Sequence, residues 1–464
     1  MSIFKVMAGL FLGFILLLVF AMSAYKPPKN PEQTLYRAAA TQKDSLKSAS
    51  YSSKEGSHQY NYSLSFVELN DEGLFVEPAQ VNRLLTDLQD KVRQTDTTIL
   101  LYVHGWNHNA STSDTNVACF EELLKATAIM QSTYVSSDRK SPRAVYGIYV
   151  GWPGVVYENE KLNKALTFFG RQSAADRVGE RGALLELFSK IANLRDQPRP
   201  QKTKFVIISH SLGARLTYKA LRPVMQHSTY DAGSGKSPFV ADVAVMVNPA
   251  LSADEHTALA ALIKAQGGRG NYKAQPRFII ATSEKDEVLG GIFPWSQRLS
   301  SFVRGDYVLA DKRRTHPIGL FDEYVTHFLK LEGDYDNSSG GHGCPTLSHD
   351  ELEIVRGMKR VQTEAELYEY KVIKHYNVSA QEIYRTVLTE SENSAPGPIM
   401  IVKVSGDIIP NHNDIFTSPF VDFISRVVNV GLYRSQPRGD AKQSAQAAVP
   451  PPLRSGGPAA GLGR

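Results

Sequence analysis

At 464 residues the chain is long enough for two or three domains, or for one large α/β domain with insertions. Hydrophobic residues make up 42% and charged residues 21%, which permits a sizeable core and excludes wholesale disorder. The excess of 52 basic over 47 acidic residues is small and lies partly near the chain ends, so it makes no nucleic-acid footprint, and two cysteines can build neither a disulfide framework nor a four-cysteine zinc site.

Residues 6–25 form an uncharged, mostly apolar run between Lys5 and Lys26. As a helix it would span a hydrocarbon core of roughly 30 Å. The expectation is therefore a transmembrane or signal anchor over 1–25, with a cleaved signal ending near Ala21-Met22-Ser23 and a buried core helix as alternatives. The basic residues that follow argue for a cytoplasmic bulk, whereas a short N-terminal anchor exports what it carries. Export, to a periplasmic or extracellular side, is the reading adopted, with the cytoplasmic orientation left open. Residues 26–58, rich in Lys, Ser, Pro and Gln, read as a linker.

From residue 59 to 433 apolar runs alternate with helical periodicity. The runs at 63–69, 97–103, 144–150, 204–209, 240–247, 277–282 and 399–404 predict strands. Helices are predicted near 78–94, 115–131, 173–194, 211–222 (ending before Pro223) and 253–266. This alternation predicts an α/β fold with a mostly parallel central sheet flanked by helices. Residues 287–395 read as an insertion before the last strand, part helical and packed over the C-terminal edge of the sheet. Residues 434–464 carry no periodicity and read as a disordered tail.

The most informative stretch is Lys204 to Ala214, where an apolar strand enters Ser209-His210-Ser211-Leu212-Gly213 and then a helix. A direct strand-to-helix turn strains its middle residue and points that side chain outward, and it needs small residues two before and two after. Gly213 meets this fully, and Ser209 stands where a glycine is usual. Ser211 is thus the candidate nucleophile; the alternative is a serine that only caps a helix. The strand at 97–103 runs into His104-Gly105-Trp106, a loop placed to direct backbone amides at a developing oxyanion. The expected donors are the amides of Trp106 and Leu212. His104, Gly105 and Trp152 are the candidate substrate contacts, Trp152 either lining an acyl pocket or packing its turn.

Chain order assigns the remaining roles: nucleophile, then acid, then histidine, each at a strand end. Asp286 follows the strand at 277–282 and is the candidate acid, with Glu284 and Asp254 as competitors. His412, in the loop after 399–404, is the candidate base, with His316 and His327 as competitors. His takes the serine proton and returns it to the leaving group, while the carboxylate fixes the tautomer. His342, Cys344 and His349 match no zinc spacing, so no metal and no cofactor is expected. Cys119 is expected on a helix, buried; pairing with Cys344 is one alternative and a free thiol the other.

Strand–His-Gly, strand–Gly-Trp-Pro, strand–Ser-x-Ser-x-Gly, strand–Asp and strand–His, in that order over 60–430, resemble the α/β-hydrolase superfamily. Gly151-Trp152-Pro153, Tyr102 to Trp106 and Arg171 resemble more narrowly a bacterial, largely uncharacterised lipase/esterase-like branch. The resemblance implies a serine nucleophile acting on a carboxylic ester (a lipid or other acyl ester) through an acyl-serine intermediate. Ser209 in place of glycine and the long segment before His412 depart from the pattern. Two alternatives stand beside ester hydrolysis: acyl transfer with the same triad, and an inactive hydrolase fold used as a membrane-tethered binding module.

Overall fold

A computed structural model of the protein describes residues 46–53, 56–133, 143–154, 163–230, 240–266, 277–294, 297–298, 312–333, 369–376, 379–394, 398–424 and 427. Its strands are β1 (Leu46–Ser53), β2 (Gly56–Glu68), β3 (Thr97–Val103), β4 (Ala144–Gly151), β5 (Thr203–His210), β6 (Val243–Val247), β7 (Phe278–Ser283), β8 (His327–Glu332), β9 (Glu369–Tyr376), β10 (Ser379–Glu390) and β11 (Ile399–Val404). They form one sheet of 11 strands in the order β1-β2-β4-β3-β5-β6-β7-β11-β8-β10-β9. Every pairing from β2 across to β8 is parallel, and the antiparallel pairs lie at the two edges.

The longer helices are α1 (Pro78–Gln94), α2 (Thr115–Thr133), α3 (Asn163–Glu180), α4 (Ala183–Asp196), α5 (Ser211–Tyr230) and α6 (Ala253–Gln266). Parallel neighbours need crossovers, and the helices supply them while covering both faces. Alternate residues of each strand serve the two layers. Ile99, Leu101 and Val103 pack with α1 and α3 to α6, while Leu100 and Tyr102 pack with α2 and with Phe420, Phe423, Ile424 and Val427. Strands β3 and β5 are buried along their whole length. With helices on both faces of a mostly parallel sheet, the architecture is compatible with the α/β-hydrolase fold.

The structure departs from the sequence reading at several places. Residues 46–53 and 56–58, read as linker, are strand, forming a hairpin on β2. The single helix expected over 173–194 is two, α3 and α4, parted at Gly182, whose φ of 95° no helix interior accepts. Helix α5 does not stop before Pro223 but runs through it. Pro223 is exposed, while Leu221 and Met225 on either side are buried and hold the helix against the core. Within 287–395 the described parts include β8, β9 and β10, which extend the sheet edge beyond β11. These strands were not read from the sequence.

The transmembrane helix or signal anchor is also corrected. Among the described residues no helix is long and apolar enough to cross a membrane, and the run at 6–25 lies outside them. The tail at 434–464 and the cluster of His342, Cys344 and His349 also lie outside the described residues. Cys119 is half-buried rather than buried, and it is disulfide-bonded.

Candidate active site

Strand β5 ends at His210 and helix α5 begins at Ser211 with no intervening loop. The turn puts Ser211 at φ 54°, a left-handed conformation that a non-glycine residue adopts only under constraint. The constraint is visible in the neighbouring glycines. A Cβ on Gly213 would stand 2.1 Å from the His104 carbonyl oxygen and 2.6 Å from that of Val103. A Cβ on Gly105 would stand 2.9 Å from both Ser211 Cβ and His210 Nδ1. The first turn of α5 and the end of β3 therefore meet backbone to backbone, and only hydrogen side chains fit at these two points. Ser209, in the place of the first glycine, is fully buried and donates its hydroxyl to the Val245 carbonyl at 3.4 Å.

Three residues from three strand ends meet at this turn. His412 Nε2 lies 2.7 Å from Ser211 Oγ, and His412 Nδ1 lies 2.6 Å from Asp286 Oδ2. Asp286 follows β7 and accepts a second hydrogen bond, from the Leu289 amide at 2.8 Å, in the short π-helix Val288–Ile292. A carboxylate can only accept, so the proton of a neutral His412 sits on Nδ1. Nε2 is then left with its lone pair toward the serine hydroxyl. All three side chains are buried.

The competing residues stand elsewhere. Glu284 is exposed and accepts from the Gly406 amide at 3.1 Å. Asp254 lies 4.0 Å from Arg314. His316 is exposed and donates from Nδ1 to the Lys312 carbonyl, and His327 lies on β8 beside Thr326. Among the described residues no group of His, Cys, Asp and Glu could hold a metal ion.

Two of the candidate substrate contacts, His104 and Trp152, spend their polar groups within the fold. His104 is fully buried, donates from Nδ1 to the Gly105 carbonyl at 2.8 Å and accepts at Nε2 from the Trp152 amide at 3.0 Å. Burial pushes its pKa down to about 4, so it stays neutral at pH 7. Trp152 is buried, donates from Nε1 to the His104 carbonyl at 2.8 Å, and stacks on the His104 ring. Both side chains tie the end of β3 to the end of β4 and have no polar group left for a substrate. Gly105 does lie against Ser211. Trp106 packs edge-on against Phe168, and its amide follows Gly105 in the same loop. Leu212 stands in the first turn of α5, where amides have no carbonyl partner within the helix.

Two ion clusters, each built on a buried arginine, hold the surrounding frame. Arg171 makes a bidentate pair with Asp71 at 2.7 and 2.8 Å and also donates to the Pro153 carbonyl at 2.7 Å. It thereby locks the Gly-Trp-Pro loop to the loop after β2. Arg215, on α5, reaches both carboxylates of Asp176 on α3 and Glu255 on α6, at 2.7 to 2.9 Å. Neither cluster was read from the sequence as a frame for the site. A lone arginine at helical spacing gives no sign of which distant carboxylate it will meet.

No protein-family model matches the chain, and no curated protein matches it by sequence. Among solved structures it is similar to phospholipase PlaB from Legionella pneumophila in complex with thio-NAD, at 13% identity and a TM-score of 0.25. That similarity covers 75% of this chain and 64% of the other, so less than two thirds of the other chain's length is matched. A second structure of PlaB matches at 16% identity and a TM-score of 0.23, over 62% of this chain and 67% of the other. Likeness at this level carries no argument about the site.

Proposed function

We propose that the protein is a serine hydrolase that cleaves a carboxylic ester, a lipid or other acyl ester, through an acyl-Ser211 intermediate. The observation that carries this reading is the continuous hydrogen-bonded chain from Ser211 Oγ through His412 to Asp286, at 2.7 and 2.6 Å. The serine hydroxyl is a poor nucleophile near pH 7 and becomes a good one only as its proton leaves. As Oγ bonds to the ester carbonyl carbon, the Oγ proton passes to His412 Nε2, and Asp286 stabilises the imidazolium that forms. The carbonyl oxygen gains the negative charge. In this reading the backbone amides of Trp106 and Leu212 receive it, and the partial positive end of α5 adds to the same stabilisation. When the C–O bond breaks, Nε2–H protonates the departing alcohol. Water then repeats the sequence, giving the acid and free Ser211.

The strained φ of Ser211 supports the same reading, since a serine that merely caps a helix needs no left-handed backbone. The test is labelling of the full chain with a fluorophosphonate, beside Ser211→Ala and His412→Ala, followed by a panel of esters graded by acyl length. The reading expects labelling of the wild type, none of Ser211→Ala, and very slow labelling of His412→Ala. Equal labelling of wild type and Ser211→Ala, or none of a folded wild type, would overturn it. Adding an alcohol to the ester assay separates hydrolysis from acyl transfer, which would raise ester product without raising free acid.

A further inference from the structure

We propose that His210 and Asn248 are positioning residues for the base, gripping the backbone carbonyl of His412 so that its ring is held between Ser211 and Asp286. This inference rests on the serine-hydrolase reading above. The carbonyl oxygen of His412 accepts from His210 Nε2 at 2.8 Å and from Asn248 Nδ2 at 3.0 Å. A carbonyl has two lone pairs, so both acceptor positions are filled and the peptide plane is fixed in two directions. All three residues are buried, where such bonds do not compete with water.

The two donors come from the strands that build the rest of the site. His210 is the last residue of β5, immediately before the nucleophile. Asn248 follows β6 at φ 45°, which asparagine tolerates better than most residues. Its other side-chain atom, Oδ1, accepts from the Ser283 amide at the end of β7 at 2.9 Å, and its own amide donates to the Ala281 carbonyl at 2.8 Å. One asparagine thus joins the ends of β6 and β7 to the loop that carries His412. Ser283 adds a bond to the same loop by donating its hydroxyl to the Ile409 carbonyl at 2.6 Å. Among the described residues, only the bonds from His210 and Asn248 act on the carbonyl of the base itself.

Simple packing does not account for His210. Among the described residues its Nδ1 has no hydrogen-bond partner, and it lies against Gly105. Leaving a buried polar atom unpaired is costly, and a leucine of similar size would avoid that cost. What the imidazole adds is the Nε2–H donor at the His412 carbonyl. Because a carbonyl only accepts, His210 must carry its proton on Nε2. Burial also holds its pKa well below the ordinary histidine range, so the neutral donor persists.

The test measures the rate of fluorophosphonate labelling of the full chain for wild type, His210→Leu, His210→Gln, Asn248→Asp and Ser211→Ala, with melting temperatures alongside. His210→Leu removes the donor and is expected to slow labelling about 10- to 100-fold, the scale of misplacing a reacting group by a fraction of an ångström to 1 Å. Glutamine places an amide near the Nε2 position, so His210→Gln is expected to recover the wild-type rate to within about threefold. Asn248→Asp keeps the acceptor for the Ser283 amide but loses the donor, and is expected to slow labelling as His210→Leu does. Rescue by glutamine separates a specific donor from general packing, because a packing defect would not be repaired by an amide. If His210→Leu does not fold, Asn248→Asp decides on the same rate. Wild-type rates in both donor-free variants, or a glutamine variant as slow as leucine, would overturn the clamp while a silent Ser211→Ala keeps the hydrolase reading intact. Labelling of Ser211→Ala at the wild-type rate, or none of the wild type, would instead overturn the reading beneath it.

Discussion

Asp286→Asn changes one atom in the chain of bonds at the site, and its consequence can be worked out from the geometry. Asp286 Oδ2 accepts from His412 Nδ1 at 2.6 Å while Oδ1 accepts from the Leu289 amide at 2.8 Å. An asparagine has one oxygen to serve both. With its oxygen on the Leu289 amide, its NH2 faces His412 Nδ1, which must then give up its proton and accept. The ring proton moves to Nε2, where it points at Ser211 Oγ, and the base no longer has a lone pair for the serine proton. The opposite orientation sets NH2 against the Leu289 amide, an unsatisfied donor pair that costs about 1–3 kcal/mol at a buried position. The first orientation therefore prevails. Loss of the correct tautomer costs on the order of 10⁴-fold in rate, equivalent to about 5 kcal/mol of barrier. The assay is the second-order rate of fluorophosphonate labelling, with circular dichroism and a urea melt to show that the variant is folded. A folded Asp286→Asn that labels within about tenfold of wild type would refute the reasoning and remove Asp286 from the mechanism.

Four further outcomes follow from the surrounding structure. Gly213→Ala would place a Cβ 2.1 Å from a backbone oxygen, so it is expected to cost about 1–3 kcal/mol of stability and to disturb the turn at Ser211; urea unfolding and labelling both report it. Arg215→Met takes the buried guanidinium from between Asp176 and Glu255 and leaves them Lys219 alone, at 3.6 and 2.7 Å, so a loss of about 1–3 kcal/mol is expected in the same melt. Burial alone would raise the pKa of Glu255, but Arg215 and Lys219 beside it override that and hold it at about 2. Its folded value is thus below its unfolded value of about 4.3. The stability it contributes is complete above pH ~4.3 and is lost as pH falls toward 2. In Glu255→Gln the decline between those pH values is expected to be shallower than in wild type, and an unchanged slope would contradict the assignment. Cys119 is disulfide-bonded, so iodoacetamide should modify it in denatured protein only after reduction; modification without reduction would contradict the bond.

The strands of the central sheet were legible because each is a short, apolar, β-branched run between turn residues, and a buried parallel strand has no polar face to confuse the pattern. The same property made β8 to β10 hard to read. They lie toward or at an edge, and a run such as Glu369–Tyr376 mixes Lys, Glu and His with its apolar residues. Helix α5 shows the opposite limit. Pro223 is a stop signal by local rules, yet tertiary burial of Leu221 and Met225 carries the helix past it. At the site, the meeting of Ser211, Asp286 and His412 was legible because chain order and strand-end position leave few residues that could come together there. For His104 and Trp152 the sequence is silent, because nothing in a His-Gly or Gly-Trp-Pro turn tells whether a ring faces the cleft or packs beneath it. Asn248 was missed altogether. Asparagine after a strand is an ordinary turn residue, and its hydrogen bond to His412 spans 164 positions of sequence. An isolated apolar run carries its own ambiguity, and 6–25 was read as a membrane span on hydropathy and length alone.

The proposed hydrolysis passes an acyl group through Ser211. The most direct measurement is acid quenching of the protein during incubation with an activated ester, such as a p-nitrophenyl ester, followed by peptide mass spectrometry. An acyl adduct on the peptide containing Ser211, formed with a burst of nitrophenol and absent from Ser211→Ala, is the predicted result. Turnover that continues in Ser211→Ala, or an adduct on a different residue, would contradict it.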